Sequence, residues 1–145
     1  MVELLRERGF RSQHRIVYDQ PGDRNAVLFL PMRVIKTLPT EAKPDGSAYA
    51  EPFRKVYVSD ERGRAEAVVD VDKDEIVKTL KFTSETGMPQ YDPVARKVYV
   101  NLQDENIFAV IDPATDTVVG RYPVGRCKGN HGMALDPEHH RAFLV

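Results

Sequence analysis

The sequence predicts an all-β chain of stacked four-stranded antiparallel units, on three observations. The first is recurrence. Lys55-Val56-Tyr57-Val58 returns as Lys97-Val98-Tyr99-Val100, and Val69-Asp70 as Ile111-Asp112, both at a step of 42 residues. Arg141-Ala142-Phe143-Leu144 and Asp136-Pro137 follow their counterparts in the preceding copy at a step of 44. The second is pattern: Val98-Tyr99-Val100, Ile107–Ile111 and Val118-Val119 are β-branched or aromatic runs of strand length, separated by turn formers such as Asp112-Pro113-Ala114-Thr115-Asp116. The third is arithmetic. A unit of this period cannot bury its apolar face alone and must stack on its neighbours, and four short strands per unit is the make-up of a β-propeller blade. Propellers close with about 4–8 blades, whereas 145 residues hold about three and a half units. The expectation is an incomplete ring, a section of a propeller roughly twice this length.

The elements follow in order. Residues 1–12 read as an N-terminal extension in which Val2, Leu4 and Leu5, before Gly9, suit a short helix. Residues 13–54 are a worn first copy, with runs at Ile16–Tyr18, Ala26–Leu30 and Val34–Leu38, the last matching Ile76–Leu80 at a step of 42. Leu28 stands where later copies carry Asp70 and Asp112, so its turn must differ. The turn formers of 40–48 read as a loop between blades. The second copy, 55–96, has strands near 54–59, 65–71 and 75–82, preceded by an inner strand near 46–50. The third copy, 97–140, has strands near 96–101, 106–112 and 117–123, with its inner strand near 88–92. A further inner strand near 132–136 leads into a fourth copy that starts at 141–145.

These copies carry a resemblance. Tyr57-Val58-Ser59-Asp60 and Tyr99-Val100-Asn101-Leu102, each followed by Val-Val-Asp or Val-Ile-Asp and then by Ile-Val-Lys-Thr or Val-Val-Gly-Arg, resemble the YVTN family of β-propeller repeats. The likeness runs from Arg54 to Val145 and is strongest over Ala109–Val119. WD40-like repeats fit less well because the chain has no Trp, and kelch repeats because their paired glycines are missing. The resemblance implies that the segments 39–46, 60–64, 83–88, 102–105 and 124–131 crowd one face of the ring. It also implies that longer relatives are often periplasmic or extracellular.

Composition narrows the partners. With 41% hydrophobic and 30% charged residues the chain is globular in make-up, and 21 basic against 22 acidic residues leave a formal charge of −1. No global field attracts nucleic acid or an anionic membrane. Cys127 is alone, so no internal disulfide is available and compartment is left open. No run approaches the roughly 18 apolar residues of a membrane span, and Met1–Phe10 is too densely charged for a secretory core, so no export signal is read here.

His131 is the sharpest candidate site residue, because a His on an inner-strand loop points toward the central channel, where metals and general bases are held. Asn130, Lys128 and Arg126 share its loop, and the four together are the expected ligand-binding residues. The equivalent positions in earlier copies are Gly87 and the loop around Asp45, so no ring of histidines arises, and a loop His bonded to backbone is the competing reading. Cys127 and His131 have the spacing of two zinc ligands but need two more, which neither His139-His140 nor His14 supplies at a recognised spacing. No metal site and no cofactor are therefore expected. Asp70-x-Asp72-x-Asp74 begins like a calcium loop and then fails, with Glu75 at the glycine position and Lys81 at the last ligand position. It reads as a solvated turn. No nucleophile elbow or phosphate loop occurs, and Tyr57, Tyr99, Phe143, Val56, Val58, Val98 and Val100 recur as packing residues between blades.

The reading that results is a non-catalytic binding or scaffold propeller, taking a protein or small-molecule partner at the loop-lined face and channel. An enzyme, such as a metal-dependent lactonase-like hydrolase or an oxidoreductase with His131 in the channel, is the rival, and single-stranded nucleic-acid binding the third. Expressed alone, the chain is expected to self-associate through open blade edges.

Overall fold

A computed structural model describes residues 2–7, 14–18 and 32–145, with side chains from residue 36 onward. The chain is all-β, in antiparallel sheets that follow one another along the sequence. The first sheet holds β1 (Val2–Glu7), β2 (His14–Tyr18) and β3 (Met32–Leu38) in the order β2-β1-β3. The second holds β4 (Pro44–Ala50), β5 (Lys55–Asp60), β6 (Ala65–Asp70) and β7 (Glu75–Lys81) in sequence order. The third repeats it with β8 (Gln90–Asp92), β9 (Lys97–Leu102), β10 (Ile107–Asp112) and β11 (Thr117–Pro123). A fourth sheet pairs β12 (Met133–Asp136) with β13 (Arg141–Leu144). The expected strands of the second and third units fall within two residues of these bounds.

The N-terminus departs from expectation. Val2–Glu7 is not a helical turn but the central strand of the first sheet, bonded to β2 on one side and β3 on the other. A single isolated helical turn fixes several dihedrals for one hydrogen bond, whereas this segment gains two ladders at once. Since β3 matches the outer strand β7 by repeat register, β1 takes the third-strand place that sequence assigned to Ala26–Leu30. That run lies outside the described residues.

Turns repeat with the strands. Left-handed backbone recurs at Arg54, Arg96 and His140, at Arg64 and Asn106, and at Asp74 and Asp116, with φ between 52° and 56°. Each turn series shares one repeat position, which is why Asn or Asp, tolerant of that region, appears in three of the seven places. The aspartates opening the turns have a mechanical role as well. Asp70 Oδ1 accepts from the N–H of Asp72 and Lys73, Asp92 Oδ1 from Val94 and Ala95, and Asp112 Oδ1 from Ala114. The run from Asp70 is thus an Asx turn.

Stacking explains why strands read as continuous apolar runs. Val56, Val58, Ala67 and Val69 point toward the first sheet and pack with Leu38 and Val71, while the intervening Tyr57 and Val68 point the other way, toward Val98, Val100, Ala109 and Ile111 of the third. A sheet covered on both faces needs apolar residues at both parities of the period-2 strand. No helix among the described residues is long and apolar enough to cross a membrane.

Candidate functional site

The repeat brings one position of three successive units to the same place. Asp45, Gly87 and His131 are equivalents at steps of 42 and 44 residues, each at the entry to an inner strand. Asp45 is the extra residue of a bulge, since Pro44 pairs with Asp60 and Gly46 with Ser59, leaving Asp45 unpaired. Bulges re-aim a side chain. Here the Asp45 carboxylate reaches across to His131, Oδ2 lying 3.1 Å from Nε2. Gly87 sits against this pair without adding a side chain: a Cβ there would come within 2.5 Å of the His131 carbonyl oxygen.

His131 is held by its backbone. Its N–H donates to the Val145 carbonyl at 2.8 Å, and its own carbonyl accepts from the Met88 N–H at 3.1 Å and from Asn101 Nδ2 at 3.2 Å. Asn101 also donates to the Gly132 carbonyl, and its Oδ1 accepts from Asn130 Nδ2 at 2.8 Å. The preceding unit solves the same problem with a different residue. Ser59, one repeat before Asn101, hydrogen-bonds the Gly87 carbonyl, and Gly87 is one repeat before His131. Each second strand therefore fastens the next unit's inner-strand loop. What projects from that loop is free to differ, and in the last unit it is an imidazole, 38% exposed.

Two further groups complete the cluster. Lys43, in the loop after β3, ion-pairs through Nζ with Glu61 in the turn after β5, and the same Nζ lies 4.0 Å from Asp45 Oδ2. Glu61's hydrogen bond, outweighing burial, pushes the Lys43 ammonium above its ordinary pKa. Buried Asp60 shapes this loop, its carboxylate accepting from the N–H groups of Ala42 and Lys43 at 2.6–3.0 Å. The nearest donor atoms of Asp45, Glu61 and His131 all lie within 4.8 Å of one another, and none of the three residues is buried. The cluster thus offers one imidazole, two carboxylates and one ammonium, open to solvent and drawn from three segments of the chain.

The expected site residues separate. His131 is in the cluster. Asn130 is adjacent but fully buried, its Nδ2 spent on Asn101 and on the Ile107 carbonyl, so it positions the loop and does not face solvent. Arg126 and Lys128 are exposed on the same loop, and neither belongs to the cluster. Cys127 is half-buried and is not brought to His131 as a fellow ligand; Asp45 and Glu61 are. Sequence reasoning passed over Lys43 and Glu61, and touched Asp45 only as a repeat equivalent. The available signal was that equivalence itself, because inner-strand positions of successive blades must converge.

The loops expected on one face are joined there. Gln103 N–H donates to the Glu85 carbonyl, Asp104 N–H to Ser84 Oγ, Glu61 N–H to the Lys43 carbonyl, and Arg64 pairs with Asp104 at 3.2 Å. Beside Asp60, a hollow of 320 Å³ is lined by Pro39, Thr40, Glu41, Ala65, Ala67 and Ile76 among others.

Four-stranded antiparallel sheets in sequential stacking, with inner-strand loops meeting at one face, define a section of a β-propeller. Among solved structures the chain is similar to hydrazine synthase of Kuenenia stuttgartiensis, with a TM-score of 0.66 and 19% identity. The match covers 73% of this chain and 30% of that one, so the chain spans less than a third of the other's length. At this identity the likeness shows the fold alone. No protein-family model matches the sequence, and no curated protein matches it.

Proposed function

We propose that the chain is a YVTN-like section of a non-catalytic binding propeller whose ligand docks on the loop-lined face, at the cluster of Lys43, Asp45, Glu61 and His131. The observation that carries this reading is that residues from three segments, one of them displaced by a bulge, present charged and hydrogen-bonding groups to one solvent-facing spot. The groups pair with one another, Lys43 with Glu61 and Asp45 with His131, yet Lys43, Asp45 and His131 keep 31%, 28% and 38% of their side-chain surface open to an incoming ligand. The reading is of binding because what the cluster presents is charge and hydrogen bonds, held in two internal pairs that a polar ligand can exchange with. The ligand is small and polar, able to exchange with the internal ion pairs. A polyanion is disfavoured by Glu41, Asp45, Glu61, Glu85 and Asp104 along the same loops.

The test is a thermal-shift panel of amino acids, polyamines, dicarboxylates and short oligosaccharides, run on the chain and on a Glu61→Gln/His131→Ala double variant. At least one class is expected to raise the midpoint of the parent and leave the variant unmoved. Equal shifts in both proteins, or none across the panel, would sink the reading. Salt-dependent retention of single-stranded oligonucleotides would replace it with the nucleic-acid alternative.

A further inference from the structure

We propose that Asp45, Glu61 and His131 form a three-ligand site for a first-row divalent cation of the zinc type. The inference rests on the reading of this face as a ligand surface and names a ligand for it.

The donor set is the first argument. Imidazole nitrogen and carboxylate oxygen are both zinc ligands, and three protein ligands leave a fourth position for water or an incoming group. Spacing is the second. Tetrahedral ligands about 2.0–2.2 Å from zinc lie about 3.3–3.6 Å from one another, and His131 Nε2 and Asp45 Oδ2 are 3.1 Å apart, a few tenths of an ångström from that spacing. Glu61, within 4.8 Å of both, closes the remaining gap by a rotamer change of a long side chain.

Preorganisation is the third argument. His131 is pinned through its backbone by Met88, Asn101 and Val145, and Asp45 is aimed by its bulge. Neither needs the ion in order to be in place, which lowers the cost of binding. The fourth is charge. Lys43 Nζ already stands as a cation against Glu61 and 4.0 Å from Asp45, so the two carboxylates are built around a positive charge. A divalent ion exchanges with it, neutralising two carboxylates where the ammonium neutralises one. The flexible stem of Lys43, a residue only half-buried, lets its head return to water. Imidazole ligation selects against magnesium and calcium, which prefer all-oxygen shells.

Calorimetric titration of the whole chain with zinc chloride in metal-free buffer tests this, with magnesium chloride as the comparison. One zinc per chain is expected, weakened roughly tenfold or more by His131→Ala and by Asp45→Asn. Lys43→Met should bind zinc more tightly than the parent, a result that loss of fold cannot imitate. Far-UV circular dichroism of each variant accompanies the titrations. The absence of zinc binding in both the parent and Lys43→Met at millimolar zinc would overturn the site, as would an affinity unchanged by His131→Ala. Failure here alongside a cluster-dependent hit in the small-molecule panel removes the cation and leaves the ligand face standing. Zinc bound at these residues with a silent panel upholds the cation and removes the broader reading.

Discussion

The interface between the second and third sheets and that between the third and fourth use equivalent residues and build different contacts. In the former, Tyr57 is 0% exposed, its hydroxyl donates to Asp116 Oδ1 at 2.5 Å, and Lys55 Nζ reaches Asp116 Oδ2 at 2.7 Å and the Pro113 carbonyl at 2.9 Å. Burial first, then the Asp116 carboxylate, push the Tyr57 hydroxyl far above its ordinary pKa, so it remains a donor. One repeat later Tyr99 is half-buried, stacks on Phe108 of its own sheet at 4.9 Å, and places its hydroxyl 3.4 Å from Asp92. Lys97 turns to Asp112 of the adjacent strand at 3.7 Å. A hollow of 140 Å³ opens beside Tyr99 and Phe108, bounded across the interface by Leu135 and Ala142. At the next repeat Phe143 is 57% exposed. Within this chain the same tyrosine is thus fully buried in one unit and half-buried in the next. The Asp that satisfies Tyr57 comes from the turn after the neighbouring sheet's third strand, and the fourth sheet here has two strands.

The largest expected effect follows from that difference. Tyr57→Ala should cost about 3–5 kcal/mol, by loss of a large buried side chain, while Tyr99→Ala should cost distinctly less because part of its ring never left water. Urea titrations of both variants measure this. Equal losses would mean that the repeat position, and not the neighbouring sheet, sets the energy.

Next in size is the fastening between sheets. Gly87→Ala forces a Cβ to within 2.5 Å of the His131 carbonyl oxygen, a backbone atom that cannot swing aside, and overpacking of this kind costs about 1–3 kcal/mol. The same variant should displace the His131 ring from Asp45, visible as a shift of the imidazole proton resonances. A stable Gly87→Ala protein with an unmoved imidazole spectrum would show that the His131 loop is not held there.

A third contrast concerns the second strand pair. Glu66 in the second sheet stands where the third has Phe108, and it is fully buried. Ser59 Oγ lies within hydrogen-bond reach of both Glu66 Oε1 and the Gly87 carbonyl. A carbonyl only accepts, and the serine has one hydrogen. Both bonds form together when the serine donates to the carbonyl and accepts from a protonated Glu66. Burial, the largest influence, likewise pushes the Glu66 carboxyl well above its usual range, against the Ser59 hydrogen bond. The folded chain thus holds a proton that the unfolded chain releases above about pH 4.3. Stability is then fully present below that pH and falls as pH rises toward the folded value. Glu66→Gln, which cannot ionise, should flatten the profile and leave the protein more stable at neutral pH. Chemical denaturation between pH 4 and 8 decides, and an unchanged slope would mean Glu66 is ionised in the fold.

The smallest effect is on assembly. With the Phe143 face and the outer strands uncovered, the chain expressed alone is expected to self-associate at micromolar concentration. Light scattering that reports a monodisperse monomer would remove that expectation.

Legibility followed the repeat. Strands from β4 to β13 were readable because each copy corroborates the next, and the aspartate turns because their side chains act on backbone two or three residues away. The first sheet was readable only in β2 and β3: β1 has no repeat partner at the step of 42, and its central place is won through pairing across the sheet. At the site, His131 was visible as an unusual residue at a repeat position. For Asn130 the sequence gives the polarity but not the Asn101 amide to which its Nδ2 is bound.

By itself the sequence determined the period, the four-stranded unit, the turn chemistry and the stacking of units, since all of these depend on contacts within one repeat or between adjacent ones. Only the tertiary structure decided which side chains meet beside the inner-strand loops. Lys43 and His131 lie 88 positions apart in the chain, and the meeting of these residues depends on a one-residue bulge and a missing side chain at Gly87. Those are properties of how whole blades pack, and no local pattern in the chain encodes them.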